Sequence, residues 1–180
     1  MDAQWLEHFT RFEGDVDHFY LDGVGIVSIG IGCRVFDPKL LPMLRRSDNA
    51  VATEEEIMTD YYAIRALPNG LAISFYHKVC KLYLPAADVV ALFEERLQET
   101  LLLLVSRITD LQSYPEPAVL AIMDMAYNLG IGGLFSKFPK FVNGFKAKDW
   151  HVCSLECRRN GIQWSRNVWT REVFDQLSYG

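Results

Sequence analysis

What the chain lacks narrows its class before any motif is read. The longest aliphatic run is five residues, Leu101 to Val105. A membrane-crossing helix needs roughly 20, so no stable membrane insertion is expected. The first residues, Met1 to His8, carry neither a basic segment nor an apolar stretch of the secretory type, so synthesis in the cytoplasm without a cleavable signal is expected. Cysteine is scarce: Cys33, Cys80, Cys153 and Cys157 are four in 180 residues, too few for a disulfide framework at this length. There is no internal repeat and no low-complexity tract. Positive charge is also in deficit, 18 Lys+Arg against 23 Asp+Glu for a net −5. That argues against a dedicated nucleic-acid binder, and no nucleic-acid partner is expected.

What is present is ordinary for a globular chain: half the residues are hydrophobic and 23% are charged. At about 150 residues per domain this is one domain, large enough to bury about 70% of its unfolded surface without staples. The charge is uneven. Residues 1–118 hold 10 basic and 18 acidic side chains, whereas residues 119–180 hold 8 basic and 5 acidic. A mildly basic C-terminal third attracts polyanions, or simply solvates a second face.

Along the chain, Trp5, Leu6, Phe9 and Phe12 fall at helical spacing over residues 3–13, and Gly14 suits the position after a helix end. From Phe19 to Phe36 short β-prone runs are broken by glycines, and Val24 to Gly32 reads as strand–turn–strand. Thr53 followed by Glu56 has the form of a capping box opening a helix to about Ala66, closed by turn residues Pro68-Asn69-Gly70. Pro85 sits at a first helical position, and residues 86–108 carry apolar side chains at helical spacing over about 35 Å. After a loop at 113–117, helices dominate, with breaks expected at 130–133, 143–144 and 160–161. The expected fold class is α+β: a small antiparallel β-containing lobe (14–85), a connecting helix (86–108) and a helical lobe (1–13 with 109–180).

Chemistry concentrates in Phe12-Glu13-Gly14, Tyr20-Leu21-Asp22-Gly23 and Ser28-Ile29-Gly30-Ile31-Gly32. Glu13 closes an apolar helix, where desolvation would raise its pKa. Asp22 and Ser28 lie on the following hairpin among glycines that let a substrate approach the backbone. Two carboxylates in different environments are what glycosidic hydrolysis needs, one protonated to donate and one ionised. On spacing alone, a solvated helix-end Glu and a turn Asp account for the pair better.

With these residues in view, the chain resembles the phage-type lysozymes (endolysins, glycoside hydrolase family 24), which carry a helix-end Glu followed by a hairpin with Asp and Thr. The Glu-to-Asp and Asp-to-hydroxyl spacings fit, and Ala121 to Gly130 is similar to that family's helix ending in aromatic–amide–x–Gly. The likeness covers roughly residues 5–36 and 118–175. It implies a lysozyme-like fold with a cleft between the lobes, and an inverting muramidase that cuts the β-1,4 link between N-acetylmuramic acid and N-acetylglucosamine in peptidoglycan. Glu13 is then the general acid, Asp22 the general base or charge stabiliser, and Ser28 holds the attacking water. Tyr127 and Asn128 line the sugar cleft, Arg34 alters one subsite, and Arg166 matches an Arg that pairs with the catalytic Glu. No cofactor or metal is implied. The partner is the glycan strand, the protein a monomer. It reaches the periplasmic or extracellular wall through a holin or a secretion system, in the latter case with a cognate inhibitor. The alternative is a non-catalytic protein on the same fold that binds peptidoglycan or a partner.

The chain departs from that pattern at Ser28, where Thr is usual, at Cys33, where His is frequent, and at Arg34, usually aliphatic. The stretch 37–84 is longer, and the net charge is acidic where the phage enzymes are commonly basic. Weaker signals have plainer readings. His151, Cys153 and Cys157 lack a fourth ligand for zinc and read as thiols. Cys33 with His18 or His77 carries little support as a thiol hydrolase. Trp5, Trp150, Trp164 and Trp169 read as core, and Lys146, Lys148, Arg158 and Arg159 as a solvated face.

Overall fold

A computed structural model describes residues 3–179; Met1, Asp2 and Gly180, which the lobe boundaries above include, lie outside them. The described residues form eight α-helices and five short strands. The protein is α+β, 62% helical with small antiparallel sheets. The chain divides into two compact units at Arg96/Leu97. The boundary falls inside the long helix, and the first helix belongs to unit 1.

In unit 1, α1 (Ala3–Glu13) buries His8, Phe9 and Phe12 and stops at Gly14, as its spacing predicts. Phe9 packs against Phe93 with ring centroids 5.3 Å apart. Next come β1 (Val16–Leu21), β2 (Val27–Gly30) and β3 (Cys33–Arg34), one antiparallel sheet in the order β1-β2-β3. This corrects the expected strand at Val24. Residues 23–26 are the turn, and the partner strand starts earlier, at Val16. The sheet register pairs Tyr20 with Ser28 and Ser28 with Arg34, so these three side chains form a row on one face.

α2 (Glu54–Arg65) opens with the predicted capping box, Thr53 and Glu56 each satisfying the other's backbone N–H. A short helix, α3 (Ile73–Val79), and a second sheet of β4 (Leu44–Arg45) with β5 (Leu82–Tyr83) were not foreseen. Both α2 and α3 pack against β1, closing a core of Phe9, Phe19, Ile29, Ile64, Tyr76 and Phe93, all fully buried. The long helix α4 spans Ala86–Val105. Pro85 precedes it as the cap, its carbonyl accepting from Asp88 and Val89.

Unit 2 is helical: α5 (Glu116–Lys137), α6 (Pro139–Lys146), α7 (Trp150–Glu156) and α8 (Trp164–Tyr179). α5 is kinked at Gly130, whose φ of 71° and ψ of 154° only glycine adopts readily. By length and composition α5 is apolar enough to cross a membrane, which the run-length criterion missed because its apolar residues are interspersed. Half of that stretch is buried inside the protein, and it carries the fully buried Asp124, the pattern of a core helix. The break expected at 143–144 is instead inside α6. There a Cβ on Gly144 would lie 2.8 Å from Val152 Cγ1, so glycine lets α6 and α7 approach, and the chain turns at 147–149. Tyr114, Phe145, Trp150 and Phe174 form one aromatic cluster, with Tyr114 stacked on Phe145 at 4.8 Å. Trp150, like Trp5 and Trp169, is only half-buried, and Trp164 is 79% exposed, so none of the four is the buried core residue expected.

Candidate active site

The site residues of unit 1 are positioned by α1 and the three-stranded sheet. Asp22 directly follows β1 and is held by its own turn. Its Oδ1 accepts from the backbone N–H of Val24 at 3.0 Å and of Ile26 at 2.9 Å, and Arg34 Nε lies 3.3 Å from Oδ2. The Asp22 backbone N–H donates to Ile26 O at 2.9 Å, and Ser28 Oγ donates to the same carbonyl at 3.4 Å. Ile26 thus ties the carboxylate and the hydroxyl to one turn. Ser28 is 1% exposed, while Asp22 is only partly covered. Arg34 is exposed and lies beside Asp22, a partner that spacing did not name.

Glu13 is placed by a close approach. Gly32, in the turn between β2 and β3, has φ +66°, and a Cβ there would fall 2.7 Å from Glu13 Oε2 and 3.1 Å from Glu13 Cβ. The end of α1 therefore lies directly on the β2–β3 turn because residue 32 has no side chain. Tyr20, which sequence reasoning quoted but gave no role, is paired with Ser28 across the sheet and feels both carboxylates. Burial, and then the charges of Glu13, Cys33 and Asp22, push its hydroxyl pKa well above the usual tyrosine range. Tyr20 is therefore within electrostatic reach of both candidate catalytic carboxylates. The signal was available in sequence: Tyr20 is two residues before Asp22, and alternation puts both on one side of a strand.

In unit 2, Tyr127 and Asn128 are half-buried in α5 just before the Gly130 kink. Arg166, on α8, is buried and grips Asp124, with Nη2 2.8 Å from Oδ1 and Nε 3.0 and 3.1 Å from the two oxygens. Arg159 completes the arrangement, its Nη2 2.8 Å from Asp124 Oδ2 and 2.9 Å from Thr170 Oγ1. This overturns the solvated-face reading for Arg159, which is 2% exposed. The other three of that group are exposed, and Lys148 Nζ caps the Tyr114 ring at 4.7 Å.

All four cysteines are free and buried. Cys153 and Cys157 donate to the carbonyls of Phe141 and Ser154. Burial, together with nearby acidic groups in the case of Cys153, pushes their thiols up to about 12 and about 11, far from the thiolate that binds metal or attacks a carbonyl. Among the described residues no group of three or more His, Cys, Asp or Glu side chains is arranged to hold a metal ion. Compared with protein-family models and with curated proteins, the chain matches none.

Proposed function

We propose that the protein is a muramidase on a lysozyme-like fold, an inverting glycoside hydrolase acting on peptidoglycan. The observation that carries this reading is that Glu13, at the end of α1, lies directly against the β2–β3 turn of the same small sheet that fixes Asp22 and Ser28 through Ile26. In the proposed reaction Glu13 gives its proton to the glycosidic oxygen as the bond to the anomeric carbon breaks. A water attacks that carbon from the opposite side, and Asp22 takes the water's proton. Positive charge building on the sugar faces Asp22, whose orientation two backbone N–H donors and the Arg34 guanidinium hold in advance. Ser28, tied to the same turn, orients the water. After one turnover Glu13 is ionised and Asp22 protonated, and exchange with solvent restores both.

Digestion of purified peptidoglycan followed by mass analysis of the fragments tests the reaction class. New reducing ends on N-acetylmuramic acid support the proposal. Free amino groups from cut stem peptides would overturn it in favour of an amidase or peptidase. Intact wall with retained protein would favour the second reading, a binding protein on the same fold. The net charge of −5 speaks for that reading, since it weakens attraction to an anionic wall.

A further inference from the structure

Away from Glu13 and Asp22, unit 1 contains a half-open cavity of about 570 Å³ between α2 and the β4–β5 sheet. Its two walls differ in sign. Arg45, Arg46 and Lys81 come from the sheet side, and Glu55, Glu56 and Asp60 from the helix. Some of these charges are already committed: Arg45 Nη1 donates to Glu56 Oε1 at 3.2 Å, and Arg46 Nη2 holds Asp17 at 3.0 Å.

What is left over defines the ligand. Arg46 Nε is buried and has no acceptor, and among the described residues the Lys81 ammonium has no ion-pair partner. On the opposite wall Asp60 is 4% exposed. Its Oδ2 accepts from the backbone N–H of Lys81 at 2.7 Å and of Leu82 at 2.9 Å, while Oδ1 accepts nothing from the described residues. Burial holds this carboxyl above its ordinary range, even with those donors and the charges of Lys81 and Arg46 nearby. Arg46 Nε is thus a buried donor without an acceptor, and Asp60 keeps one carboxylate oxygen free of donors from the described residues, so the two walls of one cavity offer a cationic donor and an anionic acceptor to a ligand carrying both charges. Leu82 and Cys80 give the floor an apolar patch.

We propose that this cavity binds a zwitterion, an amino acid or the free end of a short peptide. Its carboxylate faces Arg46 and Lys81, and its ammonium faces Asp60 and Glu55. The volume of about 570 Å³ leaves ample room for a dipeptide of small residues, and the apolar patch suits a short side chain. The site is independent of the glycosidase reading, since neither Glu13 nor Asp22 lines it.

The test is calorimetric titration of the whole protein, with backbone amide spectra, using four probes: dialanine, its N-acetyl form, its C-terminal amide, and inorganic phosphate. Each is taken to roughly 10 mM, enough to saturate a millimolar site. Dialanine is expected to bind and to shift the Lys81 and Leu82 amide signals and the Arg46 Nε–H signal. The N-acetyl and amide forms and phosphate are expected to bind at least about tenfold more weakly, a loss of about 1.4 kcal/mol. Lys81→Ala, at an exposed position, is expected to weaken dialanine about tenfold with an unchanged unfolding midpoint and unchanged peptidoglycan cleavage. The proposal is overturned if dialanine shifts nothing, if either singly charged form or phosphate binds as tightly, or if Lys81→Ala binds dialanine as wild type does.

Discussion

Replacing Gly32 by alanine probes the contact that sets Glu13 against the sheet. The added Cβ would meet Glu13 Oε2 at 2.7 Å, Cδ at 3.0 Å and Cβ at 3.1 Å. The carboxylate oxygen can swing aside, but the Glu13 Cβ moves only if the last turn of α1 moves with it. Holding alanine at φ +66° adds about 1–2 kcal/mol of backbone strain, and the overpacking adds about 1–3 kcal/mol. Together these lower the unfolding midpoint by roughly 4–20 °C for a chain of this size. A shift of the acid by about 1 Å lowers glycan cleavage about 100-fold. Thermal unfolding by circular dichroism reads the first effect, and reducing-end release from peptidoglycan, measured well below the midpoint, reads the second. Gly132→Ala is the control, because a Cβ there meets nothing within 4 Å; it should lower neither. An unchanged midpoint for Gly32→Ala would refute the close approach of α1 to the β2–β3 turn. A lowered midpoint with full cleavage would refute the catalytic importance of Glu13's placement.

Other perturbations follow from the packing and the charges. Gly144→Ala puts a Cβ 2.8 Å from Val152 Cγ1 and should cost about 1–3 kcal/mol by denaturant unfolding; adding Val152→Ala should recover part of the loss, and a strictly additive double variant would contradict the contact. Asp124→Ala leaves the guanidinium groups of Arg159 and Arg166 without their shared acceptor and should cost about 3–5 kcal/mol, or prevent folding; a change under about 1 kcal/mol would show that the charges are not buried together. Two aspartates of unit 1 should give opposite pH signatures. In Asp17, burial is outweighed by the hydrogen bonds and charges of His18 and Arg46, so its pKa lies below 3.8; its stabilising contribution is present above 3.8 and fades as pH falls through the lower folded value. Asp60 is raised above 3.8, chiefly by burial; its contribution is present below 3.8 and is lost as pH rises through the folded value. Unfolding free energies between pH 3 and 7 should therefore show Asp17→Asn losing most at neutral pH. Over the same range, wild type should gain on Asp60→Asn as the solution is acidified, and the reverse order would contradict both environments.

The local signals read well where one short stretch determines the outcome. The end of α1 at Gly14, the Thr53–Glu56 capping box and α4 each rest on a few neighbouring residues. The grouping of Asp22 with Ser28 was also legible, because both flank one hairpin turn. β1 was misjudged at its start because five of its six residues are buried, which erases the alternation that marks a half-buried strand. β4 and β5 are two residues each, too short for any period, and α3 is barely two turns. Arg159 passed for a surface residue because its partners, Asp124 and Thr170, lie 35 and 11 positions away. Gly144 was read as a break because its real role, room for Val152, belongs to the neighbouring helix.

The most direct measurement is cleavage of purified peptidoglycan by Glu13→Gln beside wild type, with circular dichroism confirming the fold. The substitution keeps the shape of the side chain and removes the transferable proton. Wild type should release reducing ends on N-acetylmuramic acid, and the variant should fall by at least about 100-fold, the contribution of a general acid. Full activity in a folded Glu13→Gln would contradict the account.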